Sequence, residues 1–338
     1  MERRMFIGST AIGGALLGSI VGTKSASAFQ PSGYNVDTIS EYTTFADNLE
    51  VEPELSGQPH RGKVLAAIQA HVDDIPLMGA GLVAKLIKEG YTGYLIRTTN
   101  EDTSGRGTVG QGTVGNETDN QEVARVLGLK KVYDLNYRKH RLDGDSQLEL
   151  RARLIFLFRL LQVDTVISFD PFEHNENNPD HTFTAIAVDA ASWHAGQRKD
   201  FPEQIKLGLK PHSVSEKYYY RNNIPAYHMV NRIVDISSVI DKKVESILVG
   251  YNLGPGGNNG ARLKARLEKE NKKLPILGDD DDTANFQYIK QILMTDWKKL
   301  GEQYGLEYAE AFHYIGPYSE YHPNLQDYID NNAVPIKS

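Results

Sequence analysis

Short apolar segments that fit buried strands alternate with longer segments that fit amphipathic helices between residues 63 and 193. This alternation predicts an α/β fold of the Rossmann-like kind, a mostly parallel sheet with helices on both faces and right-handed crossovers. The predicted elements are strand Lys63–Ala70, helix Leu77–Glu89, strand Gly93–Thr99, helix Asp119–Leu127, strand Lys131–Leu135, helix Gln147–Leu161, strand Thr165–Phe169 and helix Thr182–Trp193.

The 338-residue chain is organised around this region, and we expect one α/β domain over residues 61–250. Residues 29–60 are polar and predict an N-terminal arm, whereas residues 251–338 predict a helical or irregular extension packed on the domain. Thr103–Gly115 is rich in glycine and predicts a long loop. The weaker pattern after residue 196 predicts strands Val214–Tyr220 and Val230–Ile236, and helices Val239–Val249, Ala261–Lys272 and Tyr288–Tyr304.

The first 28 residues have the features of a targeting segment. Arg3 and Arg4 precede a mildly apolar run, and Ala26-Ser27-Ala28 fits a cleavage site between small residues. This order resembles a bacterial twin-arginine signal peptide, so we expect an exported protein, periplasmic or extracellular. A single uncleaved N-terminal membrane helix is the alternative, which the glycines of the run disfavour. Nothing later in the chain predicts a membrane span.

Composition narrows the function class. A net charge of −7 at pH 7 argues against a nucleic-acid-binding protein, which would carry a basic surface. The chain has no cysteine, so it has no disulfide and no thiolate ligand. Any metal ion would therefore be bound by histidine and carboxylate side chains.

Polar residues follow the predicted strands at the point where each strand ends. His71, Asp73 and Asp74 follow the first strand, and residues 170–185 follow the fourth. The carboxyl ends of parallel strands meet at one edge of a sheet, where ligands bind in such folds. Two adjacent buried acids cost several kcal/mol without a nearby positive charge. One of them capping the next helix is the alternative, but it does not explain the convergence.

These residues include a candidate set of metal ligands. His71, Asp74 and His181 form the two-imidazole, one-carboxylate set of a catalytic Zn²⁺ or another divalent metal. A bound cation would stabilise both adjacent acids and leave Asp73 free to act as a general base. Asp180 could orient a ligand imidazole from behind.

Two motifs carry a resemblance to a known family. "AHVDD" (70–74) is similar to the Ala-His-Pro-Asp-Asp signature of the LmbE-like, or PIG-L-type, N-acetylglucosaminyl de-N-acetylases. "NPDH" (178–181) is similar to the His-Pro-Asp-His motif of that family. The resemblance covers roughly residues 62–250 and implies an LmbE-like fold.

The resemblance also implies an activity, a zinc-dependent hydrolase that removes an N-acetyl or other N-acyl group from an amino sugar or glycoconjugate. The positions of His71, Asp74 and His181 match the metal ligands of the family, and the position of Asp73 matches its general base. In the implied mechanism Asp73 deprotonates a metal-bound water, which attacks the amide carbonyl.

The chain departs from the family at several positions. Asn178 replaces the first histidine of His-Pro-Asp-His, and an amide can donate a hydrogen bond but cannot deliver a proton. In the implied mechanism the departing amine must take up a proton. His174 is one candidate to donate it, and Asp73 acting as both base and acid is the other. Val72 and Ile75 stand where the family has proline and glutamate.

Two further hypotheses stay open from the sequence. One is a catalytically silent carbohydrate- or metal-binding protein, and the other is an amidase for a non-sugar N-acyl substrate. A substrate-binding arginine of the family is absent, with Asn116 near its position.

Overall fold

The computed structural model describes five segments, residues 49–173, 176–221, 229–252, 256–317 and 323–336. All of them belong to one compact unit, Thr43–Ser338. The predicted signal peptide, most of the predicted arm and His174 lie outside the described residues. No helix among the described residues is long and apolar enough to cross a membrane.

The described strands form an eight-stranded sheet, and its order is β1-β7-β8-β6-β5-β2-β3-β4. Every neighbouring pair is parallel except the two pairs that β8 makes with β6 and β7. The predicted mostly parallel sheet is therefore confirmed. The strands are β1 Glu50–Glu52, β2 Val64–Gln69, β3 Thr92–Thr99, β4 Val132–Tyr137, β5 Thr165–Phe169, β6 Glu216–Tyr220, β7 Arg232–Asp235 and β8 Ala309–Ile315.

Helices cover both faces of the sheet, as predicted, because successive residues of the central strands point to opposite sides. On β2, Leu65 and Ala67 pack into one core with α2, α3 and α7, whereas Ala66 and Ile68 pack into the other with α4 and α5. The helices are α1 Asp74–Met78, α2 Ala80–Lys88, α3 Val109–Leu127, α4 Gln147–Leu161, α5 Pro179–His194, α6 Pro202–Lys206, α7 Ile240–Leu248, α8 Asn259–Lys269, α9 Asp281–Tyr288, α10 Thr295–Gln303 and α11 Pro323–Asn332.

The prediction of a loop over Thr103–Gly115 is wrong in its second half, because α3 begins at Val109. Thr108 and Gln111 form a capping box, in which Thr108 Oγ1 accepts from the backbone N of Gln111 and Gln111 Oε1 accepts from the backbone N of Thr108. This reciprocal cap satisfies two backbone donors and offsets the low helix propensity of the glycines that follow.

The C-terminal part also differs from its prediction. Strand β8 lies inside the sheet, so residues 251–338 are not only a helical or irregular extension packed on the domain. The predicted helix Tyr288–Tyr304 is interrupted by a π-helical segment, Ile289–Leu293, that separates α9 from α10. Strand β8 was missed because its polar residues Glu310 and His313 are buried, each with a charged partner from another element.

The packing of α2 predicts the effect of a glycine substitution. A Cβ at Gly81 would lie 2.6 Å from Cγ2 of the buried Ile236. We expect Gly81→Ala to lower the free energy of unfolding by about 1–3 kcal/mol, because the overlap outweighs the gain in helix propensity. Gly110→Ala is the matched control, since that exposed helix position has no atom within 4 Å. Denaturant unfolding measures both variants, and stabilisation by Gly81→Ala would contradict this packing.

Candidate active site

The carboxylate of Asp74 stabilises the turn after β2. Asp74 Oδ2 accepts hydrogen bonds from the backbone N of Ala70 (2.9 Å) and of His71 (2.7 Å). Asp73 occupies the N-cap position of α1 but makes no capping hydrogen bond with its side chain. The alternative that one of these acids caps the next helix is therefore wrong. Asp74 instead accepts from the backbone of the turn, and Asp73 makes no capping hydrogen bond.

The turn brings two ligand atoms to a third from α5. His71 Nδ1 lies 3.0 Å from His181 Nε2, and His181 Nε2 lies 3.4 Å from Asp74 Oδ1. All three side chains are buried, and their nitrogen and oxygen atoms are close enough together to hold one metal ion. The structure thus brings together the three residues that the sequence predicts as ligands.

The other ring nitrogens of the two histidines face carboxylates. His71 Nε2 lies 3.0 Å from Asp180 Oδ2, and His181 Nδ1 lies 3.0 Å from Glu176 Oε2. Because each carboxylate accepts an N–H, the nitrogens that face each other are the ones left to bind a cation. With Asp74 beside them, this donor set fits a divalent metal. Glu176 was not predicted from the sequence, because nothing in its spacing relates it to His181.

The pKa values at the cluster show that it favours positive charge. Burial lowers the pKa of His71, but hydrogen bonds to Asp180 and Asp74 outweigh burial and raise it to about 9. Burial also lowers the pKa of His181, but the carboxylates of Asp74 and Glu176 outweigh burial and raise this pKa to about 10. Burial raises the pKa of Asp74, but the two imidazoles hold it well below its usual range. A divalent cation here would supply the charge that protons otherwise bring.

Asp73 lies beside the three ligands without belonging to their group. Its side chain is only partly exposed, and burial, followed by the neighbouring Asp74 charge, raises its pKa. A carboxylate with a raised pKa next to a metal site is suited to accept a proton from water.

Glu101, in the loop after β3, supports the turn that carries His71 and Asp74. Its Oε2 accepts hydrogen bonds from the backbone N of Val72 (2.9 Å) and from Arg97 Nη1 (3.1 Å). The residue is fully buried and has a left-handed backbone with φ of 53°. A non-glycine residue in this conformation is costly and persists only where its surroundings fix it. This role depends on the fold and could not be read from the sequence.

Asn178 acts both as a helix cap and as a neighbour of the cluster. Its Oδ1 accepts from the backbone N of Asp180 at the start of α5, and its Nδ2 lies 3.3 Å from His181 Nε2. Asn116, in contrast, does not face the cluster. Its Nδ2 donates to the backbone O of Glu101, and its Oδ1 accepts from Asn252 Nδ2, so it secures the loop after β3.

His140 is a neighbour of the cluster that the sequence analysis missed. Its backbone N donates to Asp180 Oδ2 (2.7 Å), and its exposed ring lies 6.2 Å from the His71 ring. His71, His140 and Asp180 form a second group with metal-ligating atoms, but there the His71 nitrogen already faces Asp180. The position of His140 after the parallel strand β4 was the available signal.

Comparison with known proteins agrees with the motifs. Residues 66–192 match the PIG-L family model, described as GlcNAc-PI de-N-acetylase. The predicted PIG-L resemblance is confirmed. The chain is also 26% identical over 193 residues to diacetylchitobiose deacetylase of Thermococcus kodakarensis, an alignment that covers 55% of this chain and 68% of the relative. The family and this relative both support deacetylase chemistry for the PIG-L segment, residues 66–192.

Solved structures agree on the fold. N,N'-diacetylchitobiose deacetylase of Pyrococcus horikoshii matches with a TM-score of 0.57 and 24% identity, covering 75% of this chain and 84% of that one. The conserved protein TT1542 of Thermus thermophilus matches with 0.54 and 23%, covering 77% and 97%. The 4-carboxy-2-hydroxymuconate hydratase GalB of Pseudomonas putida KT2440 matches with 0.54 and 15%, covering 77% and 99%. Since one of these is a hydratase, the fold alone does not decide the reaction.

The site predicts which histidines are needed for metal binding. His71→Ala and His181→Ala should each lose stoichiometric metal, because each removes one of three ligands. Elemental analysis of purified protein reconstituted with Zn²⁺ measures the loss. His212→Ala is the matched control, because His212 pairs with Asp164 instead (3.0 Å). Full occupancy in either ligand variant would overturn the assignment.

Proposed function

We propose that this protein is a metal-dependent N-deacetylase that acts on an N-acetylated amino sugar or glycoconjugate. The convergence of His71, Asp74 and His181, with Asp73 beside them, is the observation that carries the proposal. All four residues lie inside the PIG-L segment. The relative from Thermococcus kodakarensis is a diacetylchitobiose deacetylase, which supports an N-acetylated sugar as the substrate class.

His71, Asp74 and His181 would hold the divalent metal, Zn²⁺ or another. When bound, such an ion polarises a carbonyl and makes water more acidic. Asp73 accepts a proton from the attacking water as the oxygen bonds to the amide carbon. Asp73 then returns that proton to the nitrogen as the carbon–nitrogen bond breaks, which yields acetate and a free amine.

Asn178 has a supporting part in this mechanism. Its Nδ2 lies 3.3 Å from the metal-facing nitrogen of His181, where it can donate a hydrogen bond to the carbonyl oxygen as negative charge develops. An amide cannot transfer a proton, so Asp73 has both proton-transfer steps in this chain. His174, the other residue considered for this proton, lies outside the described residues.

A substrate panel tests the proposal. Metal-loaded protein is incubated with N-acetylglucosamine, N,N'-diacetylchitobiose, an N-acetylated glycolipid and an N-acyl peptide, and acetate and free amine are both measured. We expect release from a sugar substrate, loss of that release with a chelator and its return with Zn²⁺. Hydrolysis of the peptide alone would establish the non-sugar amidase. Full metal occupancy without any hydrolysis would favour a silent binding protein.

The catalytic role is tested in the same assay by Asp73→Asn. The variant keeps the shape of the side chain and removes its basicity, so turnover should fall by about 10²-fold or more while the metal content persists. Asp279→Asn is the control, because that carboxylate is exposed and pairs with Lys273 on the surface (2.8 Å). Loss of metal together with activity would show instead that Asp73 is a ligand.

We also propose that the protein is exported by the twin-arginine route. Arg3 and Arg4 precede an apolar run and Ala26-Ser27-Ala28, so the mature chain should begin near Phe29. Replacing both arginines by lysine should retain the precursor in the cytoplasm, as fractionation and N-terminal sequencing would detect. Normal export of that variant would point to the general secretory route or to an uncleaved anchor.

A further inference from the structure

A buried ion pair connects α1, the short helix that begins at Asp74, to strand β8. Lys243 of α7 and Glu310 of β8 are 2.8 Å apart between Nζ and Oε1, and both side chains are at most 1% exposed. Neither residue lies in the PIG-L segment. The Lys243 ammonium also lies over the Trp297 ring, 4.8 Å from its centroid.

Lys243 binds the end of the helix that begins at a metal ligand. Its Nζ donates to the backbone O of Pro76 (3.2 Å) and to the backbone O of Leu77. These carbonyls belong to the last turn of α1, which starts at Asp74 and is only five residues long. The last carbonyls of a helix have no partner within the helix, so the lysine fixes where α1 ends.

Glu310 binds the beginning of the next helix. Its two carboxylate oxygens accept from the backbone N of Gly81 (2.9 Å) and of Leu82 (2.8 Å), in the first turn of α2. The two helices are separated at Gly79, where a Cβ would lie 3.2 Å from Cγ2 of Ile167. The ion pair thus satisfies the unpaired backbone groups on both sides of Gly79.

We infer that Lys243 and Glu310 are positioning residues for the metal site. The short helix α1 carries Asp74 at its start, and the pair clamps its other end to α2, α7 and β8. A buried ion pair adds little stability compared with apolar packing of similar volume, so fixing one geometry is the better account of its presence. This inference rests on the metal site of the proposed function, and it does not depend on the substrate.

The test compares metal affinity with stability. Lys243→Met and Glu310→Gln are measured for the Zn²⁺ dissociation constant, by competition with a chromophoric chelator, and for the midpoint of denaturant unfolding. We expect each variant to weaken Zn²⁺ binding by about tenfold or more, the usual effect of removing support behind metal ligands. The double variant, which leaves no buried unpaired charge, should recover part of the midpoint but not the affinity.

Arg159→Met is the matched control. Arg159 is also a buried cation that donates to backbone carbonyls, among them those of Ala195 and Gln197, but it lies in α4 on the opposite face of the sheet. Its variant should lower the unfolding midpoint and leave the Zn²⁺ dissociation constant unchanged.

The outcomes separate this inference from the proposed function. If Lys243→Met and Glu310→Gln behave like Arg159→Met, losing stability but not affinity, the positioning role is overturned. If Lys243→Met does not fold, Glu310→Gln and the double variant decide the matter by the same criterion. A wild-type protein that binds Zn²⁺ but hydrolyses no substrate would refute the deacetylase proposal, and the affinity comparison would still support or refute the clamp.

Discussion

The candidate site depends on three buried side chains whose nitrogen and oxygen atoms face one another at the carboxyl edge of the parallel sheet. His71 follows the end of β2, and His181 lies in α5, the helix that follows the adjacent strand β5; their facing nitrogens are 3.0 Å apart beside the carboxylate of Asp74. Such a group is unfavourable in a dry interior unless positive charge is present. Asp180 and Glu176 accept from the outer ring nitrogens, so the two facing nitrogens and Asp74 form a group that could hold a cation without rearrangement.

The fold could be predicted where each element carries its own signal. The apolar runs that became β2 and β5 need no distant partner to be recognised, since buried parallel strands are almost continuously apolar. Strand β8 has no such signal, because Glu310 and His313 look exposed until α7 and the end of β5 provide Lys243 and Asp170. The start of α3 was missed for a local reason, since the Thr108 cap was outweighed by the glycines around it.

The candidate site, like the fold, could be predicted only where its residues carry their own signal in the sequence. His71, Asp74 and His181 follow strands at motif spacing, so topology and sequence agree on them. Glu176 and Glu101 act through contacts that only folding creates, with an imidazole and with a backbone N–H of the turn. No periodicity marks a residue that supports another from behind, and such residues are therefore the part of a site that sequence reasoning recovers last.

The place of β8 has a consequence for the order in which the molecule can be completed. Among the described strands, β1 and β7 pair with the rest of the sheet only through β8, because β8 lies between β7 and β6. A ribosome makes β1 long before β8, so β1 and β7 have no backbone pairing with the other strands until about residue 315 has been synthesised. The sheet can therefore close only after β8 has been synthesised, and a nascent chain keeps the edge of β6 open to wrong pairing until then.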